Sequence, residues 1–295
     1  MIRPLKSGDT IAIVATAKRL ERDIHQGILI LESWGLKVIV MDSVKSHSEY
    51  FAGGDELRIS DLQRALDDTN IHAILMARGG YGTTRILDLL DFSNFNKNPK
   101  WLCGFSDLTS LLLQFAESRT PAIHGPMAYT LGKDHSSDEV LKSILFGKRE
   151  FHLDSSEVLI KNTGEVESHI TGGNLSLVYE SIGANNEIDT KGKILFLEEV
   201  GEELYAIDRM LNKLRRVGQL EELAGVILGD FTDINDSSGY FNRSVIELIL
   251  SYFENVNGPM IYGFPSGHET KNYSIVFNQL TKLIVGEREI QFNYL

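Results

Sequence analysis

Along the first 125 residues, short apolar runs alternate with segments whose apolar positions recur at helical spacing. The runs are TIAIVAT (10–16), KVIVMD (37–42), HAILMA (72–77), WLCGF (101–105) and AIHG (122–125), and they contain almost no internal polar residue. Between them the periodicity predicts helices over 20–34, 55–66, 84–90 and 108–117. Strands that are apolar on both faces and separated by helices belong in a parallel sheet covered on both sides. In such a sheet the chemistry gathers in the loops at the carboxyl ends of the strands.

The rhythm breaks after Leu145. Residues 148–173 are polar, glycine-containing and only weakly β in character, which reads as a linker. The expected organisation is therefore a nucleophile-bearing domain over 1–147, a linker over 148–172 and a second domain over 173–295. That second part predicts a helix opening at Asn174, a strand KILFLEE (193–199), a helix over 204–220, a strand GVILGDF (225–231) and a helix over 244–253. A strand MIYGF (260–264) and a terminal β pair, SIVFN (274–278) and TKLIVG (281–286) with EIQFNYL (289–295), follow. The fold class is α/β, with a parallel-sheet first domain and a mixed α/β second domain.

Composition narrows the partners. The 295 residues include 41 acidic and 29 basic side chains, a formal charge of −12, which disfavours nucleic acid and anionic membranes and fits a small-molecule or peptide substrate. The apolar run at 11–15 is too short for a signal segment, and no stretch approaches a membrane-spanning length. A single cysteine, Cys103, excludes internal disulfides and a cysteine-rich zinc cluster, and suits a cytoplasmic location. No H-E-x-x-H, Cys/His cluster or Asp-rich calcium loop occurs, so neither a metal nor another cofactor is expected.

Several residues carry candidate chemistry. In WLCGFSDLTSLLLQFAE (101–117) a buried strand runs into Gly104 and Ser106, and a helix begins at once with Asp107 in its first turn. A serine on such a turn lies beside free N–H groups able to hold an oxyanion, which suits a nucleophile; alternatively it caps the helix, with Asp107 complementing the dipole. The motif lacks the last glycine of G-x-S-x-G. The segment 77–82, ARGGYG, places Gly79 and Gly80 where N–H groups can line an anion-binding concavity, or merely make a tight turn. Of eight histidines, His268, on a proline- and glycine-bounded loop after MIYGF, and His124, at a strand end, are candidate bases; the others read as solvated or structural. Glu198 and Glu199 end an apolar strand, and period-two alternation sends them to opposite faces, so at most one faces a site. Cys103, inside its strand, reads as a small buried residue.

Taken together, these segments resemble the LD-carboxypeptidases, a family of serine peptidases that includes muramoyltetrapeptide carboxypeptidases and microcin-immunity peptidases. The resemblance rests on ARGGYG (77–82), GFSDLTSLL (104–112), HGPM (124–127), GGNLS (172–176), ILFLEEVGEELYAIDRML (194–211) and GFPSGH (263–268). It implies a flavodoxin-like first domain, a smaller second domain and a cleft between them. It also implies a triad of Ser106, Glu198 and His268, an oxyanion hole from the N–H of Asp107 and of Gly79 or Gly80, and a homodimer. The implied substrate is a murein tetrapeptide, cut at its L-to-D bond to release D-alanine. Arg78, beside the glycine loop, is a candidate ligand for the terminal carboxylate or an outer salt bridge. Two other readings stand beside this one: an amidase acting on a peptide-nucleotide antibiotic, and a two-domain protein that binds a ligand without reaction. The chain departs from the family pattern at Ala15-Thr16-Ala17, at Glu199 and after His268, in ETKNYSIVFN.

Overall fold

The five apolar runs of the first half become β1 (Thr10–Val14), β2 (Lys37–Val40), β3 (Ala73–Met76), β4 (Trp101–Gly104) and β5 (Ala122–His124) in a computed structural model that describes residues 2–116, 118 and 120–295. All five are parallel, in the spatial order β2-β1-β3-β4-β5. This is the flavodoxin-like order, whose direction reverses between β1 and β3. β3, β4 and β5 are buried along their whole length, and β1 along all but its first residue, whereas edge strand β2 alternates. The uninterrupted apolar runs therefore mark the strands covered on both faces.

Most of these helices are shorter than their periodicity suggests. The span 20–34 is helical only over His25–Ser33, 84–90 only over Thr84–Leu87, and 55–66 is helical over Asp55–Asp67. The predicted 108–117 helix begins as a 3-10 turn, Ser106–Leu108, and continues as Thr109–Gln114; its predicted last residue, Glu117, lies outside the described residues, as does Met1. A helix that the pattern did not reveal, His135–Leu145, is capped by Asp134, whose carboxylate accepts the Ser137 N–H at 2.7 Å.

The second sheet holds β6 (Glu150–Asp154), β7 (Leu159–Asn162), β8 (Gly164–Asn174), β9 (Ile194–Val200), β10 (Gly225–Thr232) and β11 (Met260–Tyr262). The segment expected to be a linker, 148–172, is thus largely sheet. β6 and β7 keep many side chains in solvent, and β8 is mostly exposed over its first half and buried over its second, so their polar positions masked the strand pattern. After β11 come β12 (Ile275–Phe277), β13 (Leu280–Val285) and β14 (Glu289–Tyr294). β13 and β14 pair as expected, and the full order is β6-β14-β13-β8-β9-β10-β11-β7, with β8 to β11 mutually parallel.

The expected pairing of SIVFN with TKLIVG does not occur. β12 instead adds antiparallel to β5 in the first sheet, Ile275 facing His124 and Phe277 facing Ala122. Its three side chains are almost fully buried there, so the open edge of β5 removes more apolar surface from water than a local hairpin would. Gly125 makes the approach possible: a methyl group on it would lie 2.3 Å from Ser274 Oγ. The compact units are consequently Met1–Lys148 with Tyr273–Phe277, and Arg149–Asn272 with Asn278–Leu295. The second domain is not one continuous segment.

Candidate active site

In the first unit the candidate nucleophile sits on a strained turn. β4 ends at Gly104, whose φ of +156° brings its backbone so close to the next turn that a methyl group would lie 2.6 Å from Leu108 Cδ2. Ser106 follows with φ +62°, a left-handed conformation that costs a non-glycine residue roughly 1–2 kcal/mol. Phe105 occupies the N-cap of the 3-10 turn and Leu108 that of the following helix, so the capping role falls away for Ser106. Strain of this kind, between a parallel strand and a helix, exposes a nucleophilic hydroxyl.

The glycine loop lies directly against that hydroxyl. A methyl group at Gly79 would come within 2.9 Å of Ser106 Cβ and 3.0 Å of its Oγ. Gly80, at φ +119°, is the other member of the loop read as an N–H donor. Three loops at the strand ends are tied together: the Asp107 carboxylate accepts the Thr83 N–H at 2.8 Å, and the Thr83 and Thr16 hydroxyls are 2.8 Å apart. Burial pushes the Asp107 carboxyl above the usual range, against the hydrogen bonds from Thr83 and Gly82 and the nearby Arg58 charge. Asp107 therefore anchors the turn with its side chain, while its N–H belongs to the first turn beside Ser106.

Arg58, inside the predicted 55–66 helix, is fully buried. Its guanidinium donates to the carbonyls of Thr16 and, at 2.9 Å, Gly82, and pairs with Asp55, bracing the loops after β1 and β3. Only its full burial distinguishes it from a solvated arginine, and no local pattern signals that. Arg78 is held within its own unit: it donates to the Arg19 carbonyl at 3.1 Å, lies 3.5 Å from Glu21 and stacks on the Tyr129 ring. His124 is fully buried between the rings of Phe105 and Phe277, a packing position.

The second unit brings the candidate acid and base together. Glu198, at the end of β9, is wholly buried, and its Oε2 lies 2.7 Å from His268 Nδ1 across 70 residues of sequence. Glu199 turns the other way, as strand alternation requires. It accepts from Asn174 Nδ2 at 2.7 Å, from the Ser176 N–H at 2.7 Å and from the Ser176 hydroxyl at 2.6 Å, at the start of the helix Leu175–Glu180. Burial raises its pKa against those bonds. For His268, burial disfavours the protonated ring, but the charge and hydrogen bond of Glu198, with the charges of Glu199 and Asp230, outweigh it and raise the pKa. This is the electrostatics of a base that must stabilise a proton once received.

Asp230 ends β10 as Glu198 ends β9. Its signal was present in GVILGDF, another apolar run closing on an acid. The loop carrying His268 is fixed by Asp230 N–H donating to the Ser266 carbonyl at 3.1 Å and by Gly267 N–H donating to Asn272 Oδ1 at 3.2 Å.

Both units have counterparts among known proteins. The profile of the LD-carboxypeptidase N-terminal domain matches residues 11–125, and that of the LD-carboxypeptidase C-terminal domain matches 167–283. The chain belongs to the LD-carboxypeptidase family. It is 35% identical over 273 residues to a probable murein peptide carboxypeptidase of Bacillus subtilis, covering 90% of this chain and 86% of that one. It is 31% identical over 290 residues to the murein tetrapeptide carboxypeptidase of Pseudomonas aeruginosa, covering 94% of each. A crystal structure of muramoyltetrapeptide carboxypeptidase from Oxalobacter formigenes superposes with a TM-score of 0.86 at 26% identity, covering 97% of this chain and 98% of that one. As an LD-carboxypeptidase the chain is a serine peptidase, and its parallel first sheet and mixed second sheet are the family's fold.

Proposed function

We propose that this LD-carboxypeptidase removes the C-terminal D-alanine of murein tetrapeptides, in peptidoglycan recycling, with Ser106 as nucleophile, His268 as base and Glu198 as the orienting acid. The observation that carries this reading is the bond between buried Glu198 and His268 Nδ1. With Nδ1 donating to Glu198, Nε2 is the nitrogen that takes the proton in the proposed reaction, the tautomer a serine hydrolase needs.

In the proposed reaction His268 Nε2 takes the Ser106 Oγ proton as Oγ attacks the carbonyl carbon of the L-to-D bond. The tetrahedral oxyanion rests on the N–H of Asp107 and of Gly79 or Gly80. The imidazolium then gives its proton to the leaving amine of D-alanine, and an acyl-enzyme remains; water, deprotonated by the same imidazole, releases the tripeptide. The close approach of Gly79 to Ser106 supports the loop's part in this, because only a residue without Cβ lets backbone N–H groups stand so near the attacked carbon. Arg78 is the proposed ligand for the terminal carboxylate, which would displace the partly exposed Glu21 from the guanidinium. The working unit we propose is a cytoplasmic homodimer needing no metal or cofactor, following the family resemblance; sedimentation as a monomer at working concentration argues against that part.

Mass spectrometry of a tetrapeptide digest tests the reading. The wild type should shorten the peptide by one D-alanine and Ser106→Ala should not, while Arg78→Ala should raise KM. Equal turnover by Ser106→Ala removes that serine from the chemistry. Preferential cleavage of an aminoacyl-sulfamoyl adenosine in the same assay would transfer the chemistry to a peptide-nucleotide substrate.

A further inference from the structure

The base has a second carboxyl beside it that the triad does not use. Gly267, immediately before His268, has φ +150°, and a methyl group placed on it would lie 2.9 Å from Asp230 Cβ, 3.2 Å from Asp230 Oδ2 and 3.2 Å from Glu198 Oε2. The two acids thus close on the same point of the loop, one from β9 and one from β10. The Glu269 N–H, on the other side of His268, favours the charged form of the Asp230 carboxylate. Asp230 Oδ2 itself is buried and has no hydrogen-bond partner among the described residues. An anchor for the loop needs one acceptor; a charged oxygen left unpaired beside the base is more than anchoring requires.

We propose that Asp230 is a positioning residue of the base: it lies beside Glu198 against the His268 loop, and the charge on its carboxyl sets how firmly His268 holds the proton taken from Ser106. The proposal rests on His268 acting as the base. Burial, with the neighbouring charges of Glu269 and Glu198, pushes the Asp230 carboxyl up to about 7, against the Glu269 N–H and the His268 charge. The titratable groups around Asp230 and His268 are Glu198 and Glu199 from β9, Tyr262 from β11, and Glu269 from the loop. Asp230 and His268 therefore act on each other: the charge of each shifts the proton affinity of its neighbour. The sign follows directly. An ionised Asp230 stabilises the imidazolium, which raises the pH needed to free the base but speeds the step in which the base becomes protonated.

Asparagine keeps the shape and the acceptor for the Glu269 N–H and removes the charge. In Asp230→Asn, the acidic limb of kcat/KM for D-alanine release should move down by roughly one pH unit, and the alkaline plateau should fall about three- to tenfold. The His268 ring protons, followed by NMR without substrate, should show two titration steps in the wild type and one, with a lower midpoint, in the variant. A merely structural Asp230 leaves the limb and the His268 midpoint unmoved, and that result overturns the proposal. If the variant does not fold, the wild-type spectrum decides: a single His268 step, with no second group titrating through its ring signals, overturns it equally. Neither protein cutting the peptide while His268 still shows the coupling would defeat the murein-peptide reading and leave only the Asp230–His268 coupling standing.

Discussion

The candidate clusters of the two units are built by different physics. Around Ser106 the work is done by backbone: a left-handed serine, glycines at 79, 80, 82 and 104, and loops stitched by uncharged threonine bonds, with one buried arginine as brace. Around His268 it is done by charge: Glu198, Glu199 and Asp230 are drawn from two adjacent parallel strands and raise the proton affinity of one imidazole. A nucleophile needs a fixed position more than a tuned pKa, since its hydroxyl is activated by another residue. The base needs the reverse, because its usefulness depends on which way a proton moves.

Three substitutions break or sharpen this contrast. The largest effect is expected for Glu198→Gln, which keeps the shape but no longer fixes the Nδ1–H tautomer; kcat should fall by about 10⁴ with the fold intact by circular dichroism, and a loss below tenfold would show that the charge-built half is not needed. Gly79→Ala comes next. Its methyl would press on Ser106 Cβ at 2.9 Å, displacing an oxyanion donor, and kcat should drop roughly 10²–10³; steady-state kinetics with unchanged activity would separate the glycine loop from the chemistry. The smallest is a gain. Ser106→Gly relieves the left-handed strain and should raise unfolding stability by about 1 kcal/mol while abolishing turnover, and a denaturant midpoint that falls would mean the turn holds no strain.

The same contrast explains what could be read in advance. The strand–glycine–serine–helix turn and the ARGGYG loop are local, so WLCGFSDLTSLLL and HAILMARGGYG reveal strand, turn and helix within a dozen residues. The alternation of KILFLEE likewise separates Glu198 from Glu199, and the structure sends one to His268 and the other to Ser176. Arg58 and Asp230 were missed because their meaning lies in burial, which neighbours distant in sequence impose. The 148–172 stretch was misread as a linker because half-exposed strands carry too few apolar residues to stand out, and SIVFN because adjacency in sequence favours a hairpin that the open β5 edge outcompetes.

The sequence by itself determined the parallel order of chemistry along the first sheet, the strained position of the serine and the opposed faces of the two glutamates. Each follows from backbone periodicity and glycine stereochemistry within a few residues. Tertiary structure alone decided which arginine is buried, which strand edge receives residues 275–277, and that Asp230 stands beside Glu198 at His268. Those outcomes depend on desolvation and long-range pairing, whose energies are set by neighbours that no local window contains.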